Sequence, residues 1–231
     1  MQKIFDCAID TQLLTGMRLA KVALGRTELV VIPTDTVYGI AANAFSAAAV
    51  QALLDAKGRG RQSPPPVLVS SLGQARALVD TLPDAAIKLA ETFWPGALTM
   101  IFRAQPSLDW DLGETRGTVA IRVPDHKIAL ALIEETGPIA VSSANLTGQP
   151  AATTCQQAFD YLEESVAVFL DAGNSPKGEA STILDMTNLI DEYDKDGKLT
   201  VSGKVRIVRR GALSEAKIRS VIGDLLEVKD N

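Results

Sequence analysis

The amino-acid sequence predicts an α/β fold: one domain with a large mixed or mostly parallel β-sheet and helices packed outside it. The first observation is that short apolar runs alternate along the chain with segments whose apolar residues recur at helical spacing. The second is a hydrophobic content of 46% in 231 residues, enough to bury a sizeable core. The third is that no repeat or low-complexity linker divides the chain. We therefore expect a single domain over residues 1–231.

The first half of the chain begins with an amphipathic helix. Residues 10–25 place apolar side chains such as Leu13 and Leu24 on one face, and Gly25 provides a stop. A buried strand is expected next, because the run ELVVIP is too short for a helix and rich in β-branched residues. The other elements predicted here are a helix capped by Ser46 and closed by Lys57 and Gly58, a strand in VLV at 67–69, and helices near 73–82 and 84–93 separated at Pro83.

The alternation continues in the second half. A turn at FWPG leads into the strand ALTMIFR, and TVAIRVP forms a further apolar strand. Ligands of open α/β sheets gather where strands end, so the polar turns after these strands are candidate sites. The other predicted elements are the helix IALALIEET, the strand PIAVSS, a helix near 153–163, the apolar runs VAVFLDAG and STILDMT, a hairpin arm or surface loop at 188–204, a last strand VRIVRRG, and a C-terminal helix at about 214–227 capped by Ser214.

Composition excludes several classes of function. A net charge of −5 argues against a protein that coats nucleic acid. Cys7, Cys155 and the single histidine, His126, offer neither a disulfide framework nor a zinc cluster. No run approaches the roughly 18 apolar residues of a membrane span, and the N-terminus lacks a secretory pattern. We expect a cytoplasmic protein with no membrane partner.

Two basic clusters are candidates for anion binding, KGRGR at 57–61 and VRIVRRG. In an extended segment Lys57, Arg59 and Arg61 point to one side of the chain, and the following prolines make the exit rigid. Arginine binds phosphate oxygens at two points and lysine adds a point charge, which suits a triphosphate or a carboxylate. The alternative is that Lys57 complements the helix dipole while both arginines are solvated.

Polar turns follow two of the predicted strands. Thr34 to Tyr38 can face a crevice, or can satisfy their own backbone groups in a turn. Ser143 and Asn145 in VSSANLTG can bind a ligand by hydrogen bonds, or can form a cap or Asx turn. No nucleophile elbow surrounds Ser143, so covalent catalysis is not expected there. Arg122 lies in an apolar strand and must face a ligand or an internal acid.

Taken in order, seven segments resemble the YrdC-like family of threonylcarbamoyl-AMP synthases over about residues 29–211. The resemblance implies an α/β fold whose twisted sheet encloses a positively lined cavity. It further implies that L-threonine, bicarbonate and ATP are converted to threonylcarbamoyl-AMP and pyrophosphate, for the threonylcarbamoyladenosine beside the anticodon of some transfer RNAs. The segments are IPTDTVYGIAANAF, AKGRGRQSPPPVLV, FWPGALT, TVAIRVPDH, PIAVSSANLTGQP, STILD and IVRRGALS.

The resemblance also assigns roles to single residues. The proposed chemistry adds the expectation that Mg²⁺ is carried by the ATP phosphates, because the sequence shows no dedicated protein metal site. The expected partners are the downstream threonylcarbamoyl-transferase machinery and, as a further candidate, RNA in weak contact. The implied site residues are Lys57 and Arg59 for catalysis, Thr34, Arg122 and Ser181 for L-threonine, and Lys57, Arg59, Thr118, Ser143, Asn145 and Arg209 for ATP; Thr182 completes the family's Ser-Thr pair.

The chain departs from the family pattern at three places. SPPPVL stands where relatives have Asn-Pro-Leu, Ser142 replaces a proline, and Ala151 replaces a serine that assists nucleotide binding. From the position of its last helix we expect the short form of the family, without the additional C-terminal domain of longer relatives. Two alternative functions stay open from sequence: a non-catalytic module that binds structured RNA through the basic clusters, and a carbamoyl-transfer domain that acts without L-threonine.

Overall fold

A ten-stranded β-sheet forms the centre of the molecule, and helices lie against both of its faces. The computed structural model describes residues 2–176, 178–193, 195–196 and 199–227. The helices are α1 Asp10–Gly25, α2 Ala47–Ala56, α3 Leu72–Arg76, α4 Asp84–Phe93, α5 Lys127–Thr136, α6 Cys155–Leu162 and α7 Glu215–Ile222, followed by a 3₁₀ turn at Gly223–Leu225. The strands are β1 Ile4–Asp6, β2 Leu29–Ile32, β3 Gly39–Asn43, β4 Val67–Leu68, β5 Leu98–Arg103, β6 Thr118–Arg122, β7 Ile139–Ser143, β8 Val166–Asp171, β9 Thr182–Asp185, β10 Ile190–Tyr193, β11 Leu199–Ser202 and β12 Arg206–Arg209.

The sheet is mixed, in the order β1-β8-β2-β3-β7-β4-β6-β5-β9-β12. Its parallel pairs are β1–β8, β2–β8, β4–β6 and β5–β9, and the other five neighbouring pairs are antiparallel. The predicted α/β fold with a large mixed sheet is confirmed, and the mostly parallel alternative is wrong. The antiparallel pairs arise because β3 turns straight back from β2, and β6 returns beside β5.

Strand β3 was missed by the sequence pattern because GIAAN has only one β-branched residue, Ile40, beside a glycine, two alanines and an asparagine. Tertiary contacts override that preference: β3 lies between β2 and β7 with four of its five residues buried. Gly39 is required by packing, since a Cβ there would lie 2.6 Å from Val141 Cγ1. Strand β1 was also not predicted, and the helix expected over 73–82 is only the short α3, followed by an irregular segment up to Pro83.

The core consists of three hydrophobic clusters that pack against the sheet. Helices α1 and α5 cover one face of its first strands, and α2 and α6 cover the other. A third cluster packs α3, α4 and α7 against β5, β6 and β9. Ser214 Oγ accepts from Lys217 N and so caps α7 as predicted, but α7 is shorter than the expected 214–227. None of the described helices is long and apolar enough to cross a membrane.

The predicted arm at 188–204 contains an antiparallel hairpin, formed by β10 and β11. Asp191 on β10 accepts a hydrogen bond of 2.7 Å from Asp84 N. Pro83, at the N-cap position of α4, has no side chain that can accept a hydrogen bond, so Asp191 supplies the cap from another element. Three positions of the arm, 194, 197 and 198, lie outside the described residues.

Candidate functional site

A cavity of about 240 Å³ lies at the middle of the large sheet. Strands β3, β4, β5, β6, β7 and β9 each contribute to its wall, so the polar turns at their ends meet there, as expected for an α/β sheet. A wider depression beside Lys3, Glu28 and Glu164 is open to solvent and carries mixed charges. The wall of the central cavity consists of Thr34, Thr36, Val37, Tyr38, Gly39, Arg59, Pro64, Pro66, Leu68, Thr99, Arg122, Val141, Ser142, Ser143, Ala151, Ala180, Ser181, Ile183 and Arg209.

Three arginines converge on this cavity: Arg59, Arg122 and Arg209. Burial lowers the pKa of Arg209, and the charges of Arg122 and Arg59 lower it further. Within the described residues, Arg122 pairs with a carboxylate, whereas Arg59 and Arg209 take part in no ion pair. Two guanidinium groups that line one cavity without a carboxylate partner favour an anionic ligand beside them.

Arg122 is fixed from several sides at the end of β6. It is only 6% exposed and forms an ion pair with Asp35. Its Nη1 donates to Thr36 Oγ1 at 2.9 Å, and its Nε donates to Gly96 O at 2.9 Å. Burial lowers the pKa of the guanidinium, and Asp35 opposes that shift. Arg122 thus pairs with an internal acid and also lines the cavity, and its contact with a ligand stays a prediction.

The turn after β2 brings Thr34 and Thr36 to the cavity. Thr34 donates its hydroxyl proton to Val37 O at 2.6 Å, and Thr36 N donates to Thr34 Oγ1 at 3.2 Å. These contacts are those of the local turn that was the alternative to a ligand site. The turn therefore both satisfies its own backbone and places two hydroxyls on the cavity wall.

Ser181 stands beside Arg209 on the other side of the cavity. Arg209 donates twice to Ser181 O, at 3.0 Å from Nε and 2.8 Å from Nη2. Thr99 Oγ1 lies 2.8 Å from Ser181 Oγ. Thr99 was not singled out from the sequence, although a threonine within the apolar run ALTMIFR was a usable signal. Thr182 points away from the cavity and donates to Leu213 O at 2.7 Å.

Lys57 does not line the cavity, and the contact of its ammonium with phosphate stays a prediction. It is 3% exposed, and Nζ donates to Ser143 O at 2.5 Å, Asn145 O at 2.6 Å and Asn145 Oδ1 at 3.4 Å. Burial lowers its pKa to about 8, with Arg59 contributing. The three donors of the ammonium are therefore used inside the protein, where they brace the turn after β7.

The residues at the end of β7 and in the turn after it have two roles. Some line the cavity and others support the turn. Ser143 lines the cavity, and Ser142 Oγ accepts from Arg59 Nη1 at 3.2 Å. Asn145 Nδ2 donates to Leu146 O at 2.9 Å and Gln149 O at 2.7 Å, so this amide closes the turn. Arg59 and Ser143 thus reach the cavity, while Asn145 acts on their surroundings.

Thr118 and Ala151 differ in their position relative to the cavity. Thr118 lies outside the cavity wall, at the opposite end of β6 from Arg122, and donates to Thr115 O at 2.8 Å. Its contact with ATP stays a prediction that the geometry does not support. Ala151 does line the cavity, so the departure noted in the sequence falls on the wall itself.

Fold and site together define an α/β protein with a mixed sheet and a central cavity lined by arginines and hydroxyls. The family model described as "Telomere recombination", for Sua5, YciO and YrdC proteins, matches residues 22–193. The chain belongs to this Sua5/YciO/YrdC family, which confirms the resemblance seen in the sequence.

Relatives and solved structures agree with that membership. A Mycobacterium leprae protein provisionally named threonylcarbamoyl-AMP synthase is 48% identical over 96% of this chain and 95% of its own length. The threonylcarbamoyl-AMP synthase of Bacillus subtilis is 36% identical, over 89% of this chain and 56% of its own length. The structure of Pyrococcus abyssi Sua5 complexed with L-threonine matches with a TM-score of 0.82 and 32% identity, over 97% of this chain and 61% of that one. This chain thus spans less than two thirds of the Pyrococcus protein.

Proposed function

We propose that this protein is an L-threonylcarbamoyl-AMP synthase that acts in the threonylcarbamoyladenosine modification of transfer RNA. The observation that carries the proposal is the cavity where Arg59, Arg122 and Arg209 meet beside the hydroxyls of Thr34 and Ser181. ATP and an amino acid carboxylate are anions that such a cavity suits. The names of the relatives and the L-threonine complex of the Pyrococcus protein support the same substrates.

The proposed chemistry forms two bonds in sequence. The neutral amine of L-threonine attacks the carbon of bicarbonate or of the carbon dioxide derived from it, giving a carbamate, and one water leaves. A carbamate oxygen then attacks the α-phosphorus of ATP, the bond to the β-phosphate oxygen breaks, and pyrophosphate departs with the bonding electron pair. The products are threonylcarbamoyl-AMP, pyrophosphate and water. Catalysis here needs close placement of reactants and stabilisation of developing negative charge.

The side chains divide the two substrates between them. Arg122, Thr34 and Ser181 are the proposed contacts for L-threonine. Arg59 and Arg209 neutralise charge on the phosphates, where their guanidinium groups offer two-point contacts. Lys57 contributes to this site by holding the turn that presents Ser143, through the three hydrogen bonds of its ammonium.

Other partners are proposed from the reaction. Mg²⁺ would arrive with ATP and be held by its phosphates, because among the described residues no group of three or more His, Cys, Asp or Glu side chains is placed to hold a metal ion. Bicarbonate is the second small substrate. The unstable product would be passed to threonylcarbamoyl-transferase machinery that acts on transfer RNA in the cytoplasm, with weak RNA contact by this protein.

The deciding experiment measures pyrophosphate release from ATP with L-threonine and bicarbonate each present or omitted. Release that needs both substrates, with the mass of threonylcarbamoyl-AMP among the products, is the expected result. Turnover without L-threonine would favour a carbamoyl-transfer domain instead. No turnover from folded protein, together with salt-sensitive binding of transfer RNA, would favour an RNA-binding module.

A further inference from the structure

Arg59 lies in a loop whose own sequence provides little rigidity. Gly58, with φ of 60°, precedes it and Gly60 follows it. Glycine gives a chain more conformations, so holding such a loop in one position costs more entropy. Arg59 nevertheless reaches the cavity wall, where Nη1 donates to Ser142 Oγ at 3.2 Å. Contacts from elsewhere in the fold must supply the order that this loop lacks.

The segment between β5 and β6, residues 104–117, makes those contacts with Arg61, which lies two residues after Arg59. We call it the clamp segment. Asp111 accepts two hydrogen bonds from Arg61 Nη2, at 2.7 Å to Oδ1 and 2.9 Å to Oδ2. Glu114 N donates to Arg61 O at 2.8 Å. The clamp segment therefore holds both the side chain and the backbone of Arg61.

Gly113 shows how closely the two segments fit. Its φ is 104°, and a Cβ at this position would lie 2.7 Å from Arg61 O. A side chain there would push the clamp segment away from Arg61 and strain the backbone at the same time. Gly113 N also donates to Asp111 Oδ1 at 3.0 Å, which orients the carboxylate toward Arg61.

The clamp segment is also attached to α2, the helix that leads into the loop. The ring of Trp110 stacks on that of Phe45, just before α2, with centroids 5.6 Å apart and planes at 27°. Arg61 Nη1 donates to Gln51 Oε1 on α2 at 3.3 Å. Helix α2, the loop that contains Arg59 and the clamp segment are thus connected to one another.

The Arg61–Asp111 pair is half exposed, at 44% and 43%. Exposed ion pairs contribute only about 0–1 kcal/mol to global stability. The hydrogen bond from Arg61 lowers the pKa of Asp111, so the carboxylate is ionised at neutral pH. A pair in this position therefore affects the local placement of the loop far more than the stability of the fold.

We propose that Arg61 and Asp111 are positioning residues for nucleotide binding: by fixing the loop at residues 58–63 they hold the Arg59 guanidinium where it contacts the phosphates. This inference rests on the proposed function for the identity of the ligand, ATP. It predicts a selective effect. Loosening the pair weakens the phosphate contact, and leaves the L-threonine contacts around Arg122 and Ser181 unchanged.

The test compares Asp111→Ala, Asp111→Asn and Arg61→Lys with the wild type in the pyrophosphate-release assay. Arg61→Lys keeps the charge and removes the guanidinium fork that joins Gln51, through Nη1, to Asp111, through Nη2. The matched control is Glu135→Gln, which breaks the Lys21–Glu135 pair, exposed by 52% and 53% and remote from the cavity. We expect KM for ATP to rise about 3- to 10-fold in Asp111→Ala and Arg61→Lys and less in Asp111→Asn. KM for L-threonine and the thermal midpoint should stay near wild type, and Glu135→Gln should change neither KM.

Binding and rescue complete the test. Calorimetric affinity for α,β-methylene ATP should fall by the same factor as KM rises, and the exchange Arg61→Asp with Asp111→Arg should recover part of the loss. A wild-type KM for ATP in Asp111→Ala would overturn the proposal, as would equal losses for both substrates with a lowered thermal midpoint. If the wild type neither turns over nor binds the analogue, the proposed function fails. The variants are then compared by their affinity for tripolyphosphate, and unchanged affinity, or none in any of them, would overturn the positioning role as well.

Discussion

Neighbouring basic residues have different tasks in this protein. Lys57 is buried, and its ammonium is fully used by the turn after β7, whereas Arg59, two residues further on, lines the cavity. Arg61, after another glycine, points to the clamp segment. One basic run thus contains a residue that braces a turn, and we propose that it also provides a ligand contact and a positioning residue. Mutations in it should differ in kind as well as in size.

Substitution of Lys57 and of Arg59 should separate these tasks. Lys57→Met removes the ammonium donor of Ser143 O, Asn145 O and Asn145 Oδ1. Ser143 O keeps the hydrogen bond from Asn145 N, so the loss falls on the two Asn145 oxygens, at about 1–3 kcal/mol for each. For a chain of this length the thermal midpoint falls about 2–4 °C per kcal/mol, so a drop of roughly 4–24 °C is expected. Arg59→Ala removes a cavity side chain, so the midpoint should stay within about 2 °C while KM for ATP rises about tenfold or more. Calorimetry and the pyrophosphate assay measure both effects, and equal midpoints in the two variants would contradict the division.

At the scale of elements, the site depends on strands of weak intrinsic preference. The sequence of β3, GIAAN, has a weak preference for a strand. This strand nevertheless lies between β2 and β7 and places Gly39 on the cavity wall. Strand β3 lies directly beside β2 because the two strands are joined by the short turn that also contains Thr34. The floor of the cavity is therefore sensitive to small changes in β3.

Gly39→Ala should test this packing. The added Cβ meets Val141 Cγ1 at 2.6 Å, and the branched valine cannot move aside, so we expect a loss of about 1–3 kcal/mol in the free energy of unfolding. Urea denaturation measures the loss. A double-mutant cycle with Val141→Ala should show coupling between the two positions.

The matched control for Gly39→Ala is Gly25→Ala at the end of α1. A Cβ at Gly25 meets nothing within 4 Å, so this variant should be near neutral. Equal effects at Gly39 and Gly25 would show that the close contact with Val141 is relieved at little cost.

At the scale of the whole molecule, an acidic chain encloses a cavity lined by three arginines. The net charge is −5, yet three arginines meet around about 240 Å³. Such an arrangement concentrates anions locally without making the surface attractive to nucleic acid in general. Because buried groups titrate with shifted pKa values, the free energy of unfolding of the whole protein depends on pH.

The pH dependence of stability should carry the signature of Lys57. Its folded pKa of about 8 lies below the ordinary 10.5, so between these values the unfolded state binds more protons. The free energy of unfolding contributed by Lys57 therefore rises as pH increases from about 8 to 10.5. Burial raises the pKa of Cys7 to about 11 and of Cys155 to about 12, which lowers stability in the alkaline range. The wild type must therefore be compared with Lys57→Met. The difference in unfolding free energy should increase with pH, and a flat difference would contradict the assignment.

The sequence by itself determined the family, the α/β class, most helices and strands, and the polar turns at strand ends. These features follow from local periodicity, helix caps and the order of motifs, all of which can be recognised within short segments of the sequence. It also identified Thr34, Arg59, Arg122, Ser143, Ser181 and Arg209, which all line the cavity.

Only the tertiary structure decided which way each long side chain points. Lys57 and Arg59 are neighbours in sequence, but their partners lie 83 to 88 residues away, where the turn after β7 crosses the end of α2. The same holds for β3, for Thr99 beside Ser181, and for the contact of Arg61 with Asp111, 50 residues further on. A sequence places a residue on an element. The packing of distant elements determines whether its charge meets a ligand, a carbonyl or another loop.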